Sequence, residues 1–198
     1  TRGAYVRSET RDLLEIVALE SHRAGAVVIG EDLGTVPPGV RNELRRRRLL
    51  STRLVLFERT PPSRYPRQAF AGVTTHDLPT IAGLSSGSDL EDQAAAGLEP
   101  DTAGASVLRS RLARAAGLGT DERPEDLTEA VHRRLAASPA MFIAATLEDA
   151  LGVEERPNLP GTTAPQRDNW SLALPVPVEA LGDDPGVASL VEVLRRPG

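Results

Sequence analysis

The sequence predicts an α/β fold built on a parallel sheet, and three observations carry that expectation. Four short apolar runs, at residues 26–30, 53–57, 69–74 and 140–145, have the length and composition of strands. Stretches with helical spacing lie between them, and strand and helix alternate as parallel connections require. The first run, Ala26-Val27-Val28-Ile29-Gly30, is apolar throughout, the pattern of a strand buried on both faces. Four such strands suit half of a (β/α)8 barrel or a small doubly wound sheet, and periodicity does not separate the two.

The elements follow in order. Residues 8–24 read as an amphipathic helix, with Ser8 able to cap it, Leu13, Ile16, Val17 and Leu19 near helical spacing, and Gly25 as the stop. The first strand ends in Glu31-Asp32-Leu33-Gly34. Thr35 or Val36 then leads into Pro37-Pro38 and an Arg-rich helix to about Arg48, since proline is tolerated in a first turn. A Pro- and Arg-rich loop, 59–68, separates the second strand from the third, which ends at Thr75-His76-Asp77. Residues 85–105 are small, acidic and glycine-bearing, and read as a loop or frayed helix start. Helices are expected near 105–116 and 124–137, then the fourth strand and a helical turn at 147–151. An irregular Pro/Gly-rich segment, 157–165, and a short helix at 187–195 complete the chain.

Composition narrows the classes. At 198 residues the chain suits one ordinary domain, with 40% hydrophobic and 26% charged residues, a globular balance. A formal charge of −5 gives no electrostatic case for nucleic acid. The absence of cysteine excludes disulfides and thiolate metal sites and fits a cytoplasmic enzyme. No apolar run approaches the roughly 20 residues that span a bilayer, so no membrane partner is expected. The opening Thr1-Arg2-Gly3-Ala4-Tyr5-Val6 has neither an initiator methionine nor a signal-peptide pattern, and reads as the middle of a longer protein.

In parallel α/β architectures catalytic side chains come from the carboxyl ends of different strands. Glu31 and Asp32 follow the first strand, and His76 and Asp77 the third. Side chains alternate along a strand, so one of Glu31 and Asp32 should face a site while the other orients backbone or a neighbour. Position alone favours blander roles: an acidic pair opening a loop, and Asp77 capping a helix that begins near Pro79 with His76 packed beside it. A divalent-metal reading has suitable ligand types in Glu31, Asp32, His76 and Asp77 but no tight spacing. Gly30-Glu31-Asp32-Leu33-Gly34 lacks the spacing of a dinucleotide loop, and no cofactor is expected.

The segment from Ala18 to Val36, containing Gly30-Glu31-Asp32-Leu33-Gly34-Thr35, closely resembles the general-acid segment of the 4-α-glucanotransferases of glycoside hydrolase family 77. Thr74-Thr75-His76-Asp77 resembles that family's Thr-His-Asp segment. Asn158-Leu159-Pro160-Gly161-Thr162-Thr163 followed by Asp168-Asn169-Trp170 resembles its Pro-Gly-Thr…Asn-Trp signature, and Gly3-Ala4-Tyr5-Val6 matches the stretch before its first helix here. No single tetrapeptide is specific; the ordered set, from residue 3 to about residue 181, is.

The resemblance implies the C-terminal half of a (β/α)8 TIM barrel, about strands five to eight, over residues 1–198. It implies a retaining transfer of α-1,4-glucan segments between maltooligosaccharide donor and acceptor through a covalent glucosyl intermediate. Glu31 then resembles the general acid/base and Asp77 the carboxylate that stabilises the transition state. His76, Asp32 and Asn169 are the expected substrate-binding residues and no metal is implied; Trp170 suits stacking on a sugar or packing in the core, and the core is expected because a lone Trp is more often packing. Such chemistry needs a nucleophilic carboxylate and an acid/base carboxyl about 5–5.5 Å apart. The family's nucleophile, an Asp in an Arg-x-Asp-His-type segment of an earlier strand, has no counterpart in this sequence. The 198 residues alone are therefore expected to be inactive and poorly stable. A catalytically dead carbohydrate-binding paralogue and a metal-dependent α/β enzyme of other specificity are the alternatives.

Overall fold

The structure, a computed structural model, describes residue 6 and residues 9–195. Helix α1 (Thr10–Ala24) stops where the sequence places its stop, at Gly25 in the left-handed conformation (φ 61°) with its N–H on His22 O. Ser8, its expected cap, lies outside the described residues, as do Gly3, Ala4 and Tyr5 of the matching stretch. The helix has the expected apolar stripe, yet none of its residues is buried, and Leu13, Ile16 and Leu19 stand about half exposed.

Strands β1 (Ile29–Gly30), β2 (Leu50–Leu54), β3 (Ala69–Gly72) and β4 (Phe142–Ile143) form one sheet in that order, every pair parallel. Helix α2 (Val40–Arg46) connects β1 to β2, and a 3-10 turn at Pro62–Arg64 interrupts the loop from β2 to β3. Between β3 and β4 lie α3 (Ile81–Ser86), α4 (Ser88–Ala95), α5 (Thr102–Ala116) and α6 (Pro124–Ala136). After β4 come α7 (Leu147–Ala150), a 3-10 stretch at Val178–Asp183, and α8 (Pro185–Leu194).

Three expectations need correction. Residues 85–105 are largely helical, because Gly87 (φ 89°) ends α3 and opens α4, and the Asp101 carboxylate caps α5 by accepting the Gly104 N–H at 2.8 Å. Helix α2 begins at Val40 behind Gly39, not within Pro37-Pro38. The first strand is not buried on both faces: Val27 and Ile29 are 58% and 43% exposed. It is an edge strand with β2 as its one partner among the described residues, so nothing there covers its far side.

Among the described residues the helices α2, α3, α5 and α6 pack on one face of the sheet. Ala69, Ala71 and Val73 pack with Ile81, Leu84, Leu112, Leu127, Val131 and Leu135 into the core under α3, α5 and α6. Helix α2 lies on the same side: the register pairs Gly30 with Ser51, and a Cβ at Gly30 would meet Leu44 at 2.9 Å. The alternate residues Thr52, Leu54, Phe70 and Gly72, with Ile29, line an open cleft on the opposite face. A doubly wound sheet has helices on both faces. Helices on one face and a concave other face are the arrangement of an arc of a (β/α)8 barrel.

His132 of α6 sits fully buried in this core, its Nδ1 2.8 Å from Thr128 O and its Nε2 without a partner. Burial lowers its pKa below the ordinary 6.5. The folded chain therefore keeps a neutral imidazole, while the unfolded chain binds a proton as pH falls through that value. Stability should drop below about pH 6.5, by up to about 1.4 kcal/mol per pH unit from this residue. Urea unfolding of wild type and His132→Leu at pH 7.5 and 5.5 checks it. The variant should gain on wild type toward pH 5.5; a constant difference would contradict the buried neutral state.

Candidate functional site

Past β3 the chain closes on itself before α3 begins. The Thr74 hydroxyl donates to Pro79 O at 2.9 Å, and the Asp77 N–H donates to Thr75 Oγ1 at 3.3 Å. The helix cap is Thr80, which accepts the Gly83 N–H at 3.0 Å. Asp77 is thus no helix cap, and its side chain, with that of His76, stays about half exposed at the mouth of the cleft. His76 Nε2 lies 3.4 Å from Asp77 Oδ1.

The segment after α7 fixes this pair in place. Asn158 donates its N–H to His76 O at 3.2 Å and its side-chain amide to Asp77 Oδ1 at 2.6 Å. Arg156 Nη1 donates to Asp77 O at 3.0 Å, and the Thr80 hydroxyl to Glu154 O at 3.0 Å. Gly83 allows that last approach, since a Cβ there would run into the Glu154 carbonyl oxygen. Trp170, expected in the core, is 64% exposed. Its ring packs on His76, centroids 4.9 Å apart and tilted by 54°, and its backbone N–H donates to Pro157 O at 2.9 Å. It holds a left-handed φ of 66°, a strained conformation for a bulky residue that costs on the order of 1–3 kcal/mol.

At the end of β1 the two acidic residues divide as strand alternation requires. Glu31 is exposed and lines the same cleft as His76 and Asp77, a cavity of about 430 Å³ over the carboxyl ends of the strands. Asp32, expected to bind substrate, is instead buried. Its Oδ1 accepts the Thr52 N–H at 2.7 Å, and its Oδ2 accepts Arg41 Nε at 2.6 Å and Arg53 Nη1 at 3.2 Å. Both oxygens are committed to tying β1 to β2 and α2. Asn169, also expected to bind substrate, is committed within its loop: its Oδ1 accepts from the Leu159 N–H and Arg167 Nη1, and its Nδ2 donates to Thr162. That side chain closes its own loop rather than facing the cleft.

Two residues at the cleft escaped sequence reasoning. Asn158 stood in a recognised motif, but nothing local announces a partner 81 residues away. Asp149 stood in an ordinary helical turn. It is buried in the cleft wall, with Oδ1 accepting the Ile81 N–H at 2.8 Å and Oδ2 without a partner. Burial, partly offset by the Ile81 N–H and the Thr146 side chain, pushes its pKa up to about 6. Among the described residues no cluster of three or more His, Asp or Glu could hold a metal ion, and no helix is long and apolar enough to cross a membrane.

Comparison with known proteins bears on what this cleft does. The model of the 4-alpha-glucanotransferase family, glycoside hydrolase family 77, matches residues 1–177. A 4-alpha-glucanotransferase of Mycobacterium tuberculosis (strain ATCC 25618 / H37Rv) is 37% identical over 222 residues, which covers 98% of this chain and 30% of that protein. Its counterpart from Haemophilus influenzae is 31% identical over 199 residues, covering 89% and 28%. The chain thus spans about 30% of the length of these relatives. The crystal structure of amylomaltase from Corynebacterium glutamicum superposes with a TM-score of 0.84 at 29% identity, over 98% of this chain and 32% of that one. Amylomaltase from Streptococcus agalactiae in complex with acarbose shares the fold at a TM-score of 0.67 and 19% identity, over 96% and 35%.

Asp149 gives a test of the site's packing. Its folded-state pKa of about 6 lies above the unfolded value of 3.8, so this group favours folding below pH 4 and loses that contribution as pH rises through about 6. Asp149→Asn keeps the acceptor for Ile81 and removes the buried charge. The variant should gain stability over wild type between pH 4 and pH 7, by an amount on the order of 3 kcal/mol. Denaturant midpoints at the two pH values check this, and no change in the difference would mean that Asp149 is solvated.

Proposed function

The chain belongs to glycoside hydrolase family 77, the 4-alpha-glucanotransferases, and on that premise we propose that it supplies one side of a retaining α-1,4-glucan transfer site. The observation that carries this reading is the cleft itself: Glu31 from the end of β1 and His76 and Asp77 from the end of β3 line one cavity. Glu31 is the general acid/base. As the glycosidic bond breaks, its carboxyl proton passes to the leaving oxygen. When the acceptor sugar attacks, the carboxylate takes the proton of the 4-hydroxyl. Asp77 is the transition-state carboxylate, its negative charge set against the oxocarbenium-like ring and aimed by the Asn158 amide. His76, braced by Trp170, presents a ring nitrogen to a hydroxyl of the same sugar.

Asp32 and Asn169 act at one remove: Asp32 fixes the strand end that carries Glu31, and Asn169 the loop that carries Trp170. The attacking carboxylate, which forms the glucosyl ester at C1, is assigned to a strand outside these four. The sheet has room for it, since β1 and β4 each have one partner among the described residues and the α1 stripe is uncovered. The 198 residues form the C-terminal part of that barrel, with donor and acceptor maltooligosaccharides as partners.

Disproportionation of maltotriose tests the reading. In the intact enzyme that carries this chain, Glu31→Gln should lower kcat by about 10²–10⁴-fold and Asp77→Asn by about 10²–10³-fold. The 198-residue chain alone should show no turnover. Near-normal activity in either variant removes that residue from its role, and turnover by the chain alone removes the need for an outside nucleophile.

A further inference from the structure

Resting on that reading, we infer that Arg156 is a positioning residue for Asp77, set in place by the Asp89 carboxylate of α4. Arg156 is 7% and Asp89 5% exposed, and Arg156 Nη2 stands 2.5 Å from Asp89 Oδ1, an ion pair by distance without the alignment of a hydrogen bond. The other terminal nitrogen, Nη1, donates to the backbone oxygen of Asp77. One planar guanidinium therefore spans from α4 to the residue whose carboxylate faces the cleft, and its rigid fork fixes the two contacts relative to each other.

Burial works against this pair. It pushes the Asp89 carboxyl above its ordinary range and the Arg156 guanidinium below its own, each opposed by the charge of the other. Arg156 Nε is buried with no hydrogen-bond partner. Joining two elements does not require such a pair, because apolar side chains of similar volume serve as well or better. What an apolar pair cannot supply is a donor for Asp77 O.

The local sequence supports the arrangement. Pro157 restricts Arg156 to extended backbone, and the chain then bends at Pro157, between Arg156 and Asn158. Arg156 and Asn158 accordingly reach the same partner, one at its carbonyl and the other at its carboxylate. The Asn158 amide sets where the carboxylate points; Arg156 sets where the Asp77 backbone stands. A displacement of about 1 Å at a reacting site can cost about 100-fold in rate.

The test uses the intact enzyme with Arg156→Met and Asp89→Leu combined, which removes donor and buried charge together and leaves no unpaired ion. Its melting temperature should stay near that of wild type, while kcat for maltotriose disproportionation falls about 30–100-fold and KM stays within about threefold. A merely structural pair predicts retained kcat in a stably folded double variant, and kcat within about threefold of wild type would overturn the inference. Arg156→Lys, which keeps one donor and the charge, should retain more kcat than the double variant; equal losses would likewise overturn it. A crystal structure of the double variant reads the positioning without any glucan chemistry. The Asp77 carboxylate should move by about 1 Å, and an unmoved carboxylate refutes the role. An inactive wild type would defeat the proposed function and leave this structural measurement to decide on Arg156.

Discussion

Four hydrogen bonds from residues 154–158 to the loop at the end of β3 hold the candidate site together: Asn158 to His76 O and to Asp77 Oδ1, Arg156 to Asp77 O, and Thr80 to Glu154 O. A loop at the rim of a cleft carries backbone groups that no strand or helix partner can satisfy. Here a second loop satisfies them. The exposed His76–Asp77 pair thereby gains a defined position without being buried. Thr80 caps α3 directly after the first loop, Thr146 caps α7, and the buried Asp149 carboxylate links the two helices.

That clamp matters because, among the described residues, helices back the sheet on one face and leave a cleft on the other. Along β3 the residues Ala69, Ala71 and Val73 enter the core, while Phe70 and Gly72 face the cleft. Small residues on the helix side let α3 and α6 approach closely. Full burial of each large side chain there contributes roughly 1.5–3 kcal/mol, so the β2–β3 region and its helices form the firm part of the molecule. The periphery is different. Val27, Ile29, Met141 and Phe142 at the outer strands are all over 40% exposed, as are Leu13, Ile16 and Leu19 of α1. Those surfaces have the chemistry of a barrel interior and wall, and are consistent with strands that close around the same cleft.

At the end of β1 a period of two separates two carboxylates that the sequence places side by side. Asp32 accepts a backbone N–H and faces two arginines, which satisfies a buried charge. Glu31, the residue before it, faces the opposite way and lines the cleft. One residue holds the strand end that carries the other.

The sequence by itself determined the α/β class, the parallel order, the stop of α1 at Gly25, and the positions of Glu31, His76 and Asp77 at strand ends. Each depends on a local rule: apolar run length, a glycine able to take positive φ, alternation along a strand. Local rules also misassigned residues 85–105, where two caps outweigh a weak composition, and Trp170, whose size suggested the core. Only the tertiary structure decided that the sheet is one-faced, that Asp32 and Asn169 are fasteners, and that Asp149, Arg156 and Asn158 belong to the site. The reason is distance along the chain. Asp77 meets Arg156 and Asn158 across some 80 residues, and Asp149 meets Ile81 across 68. A buried polar atom takes its meaning from a partner that no neighbouring residue reveals.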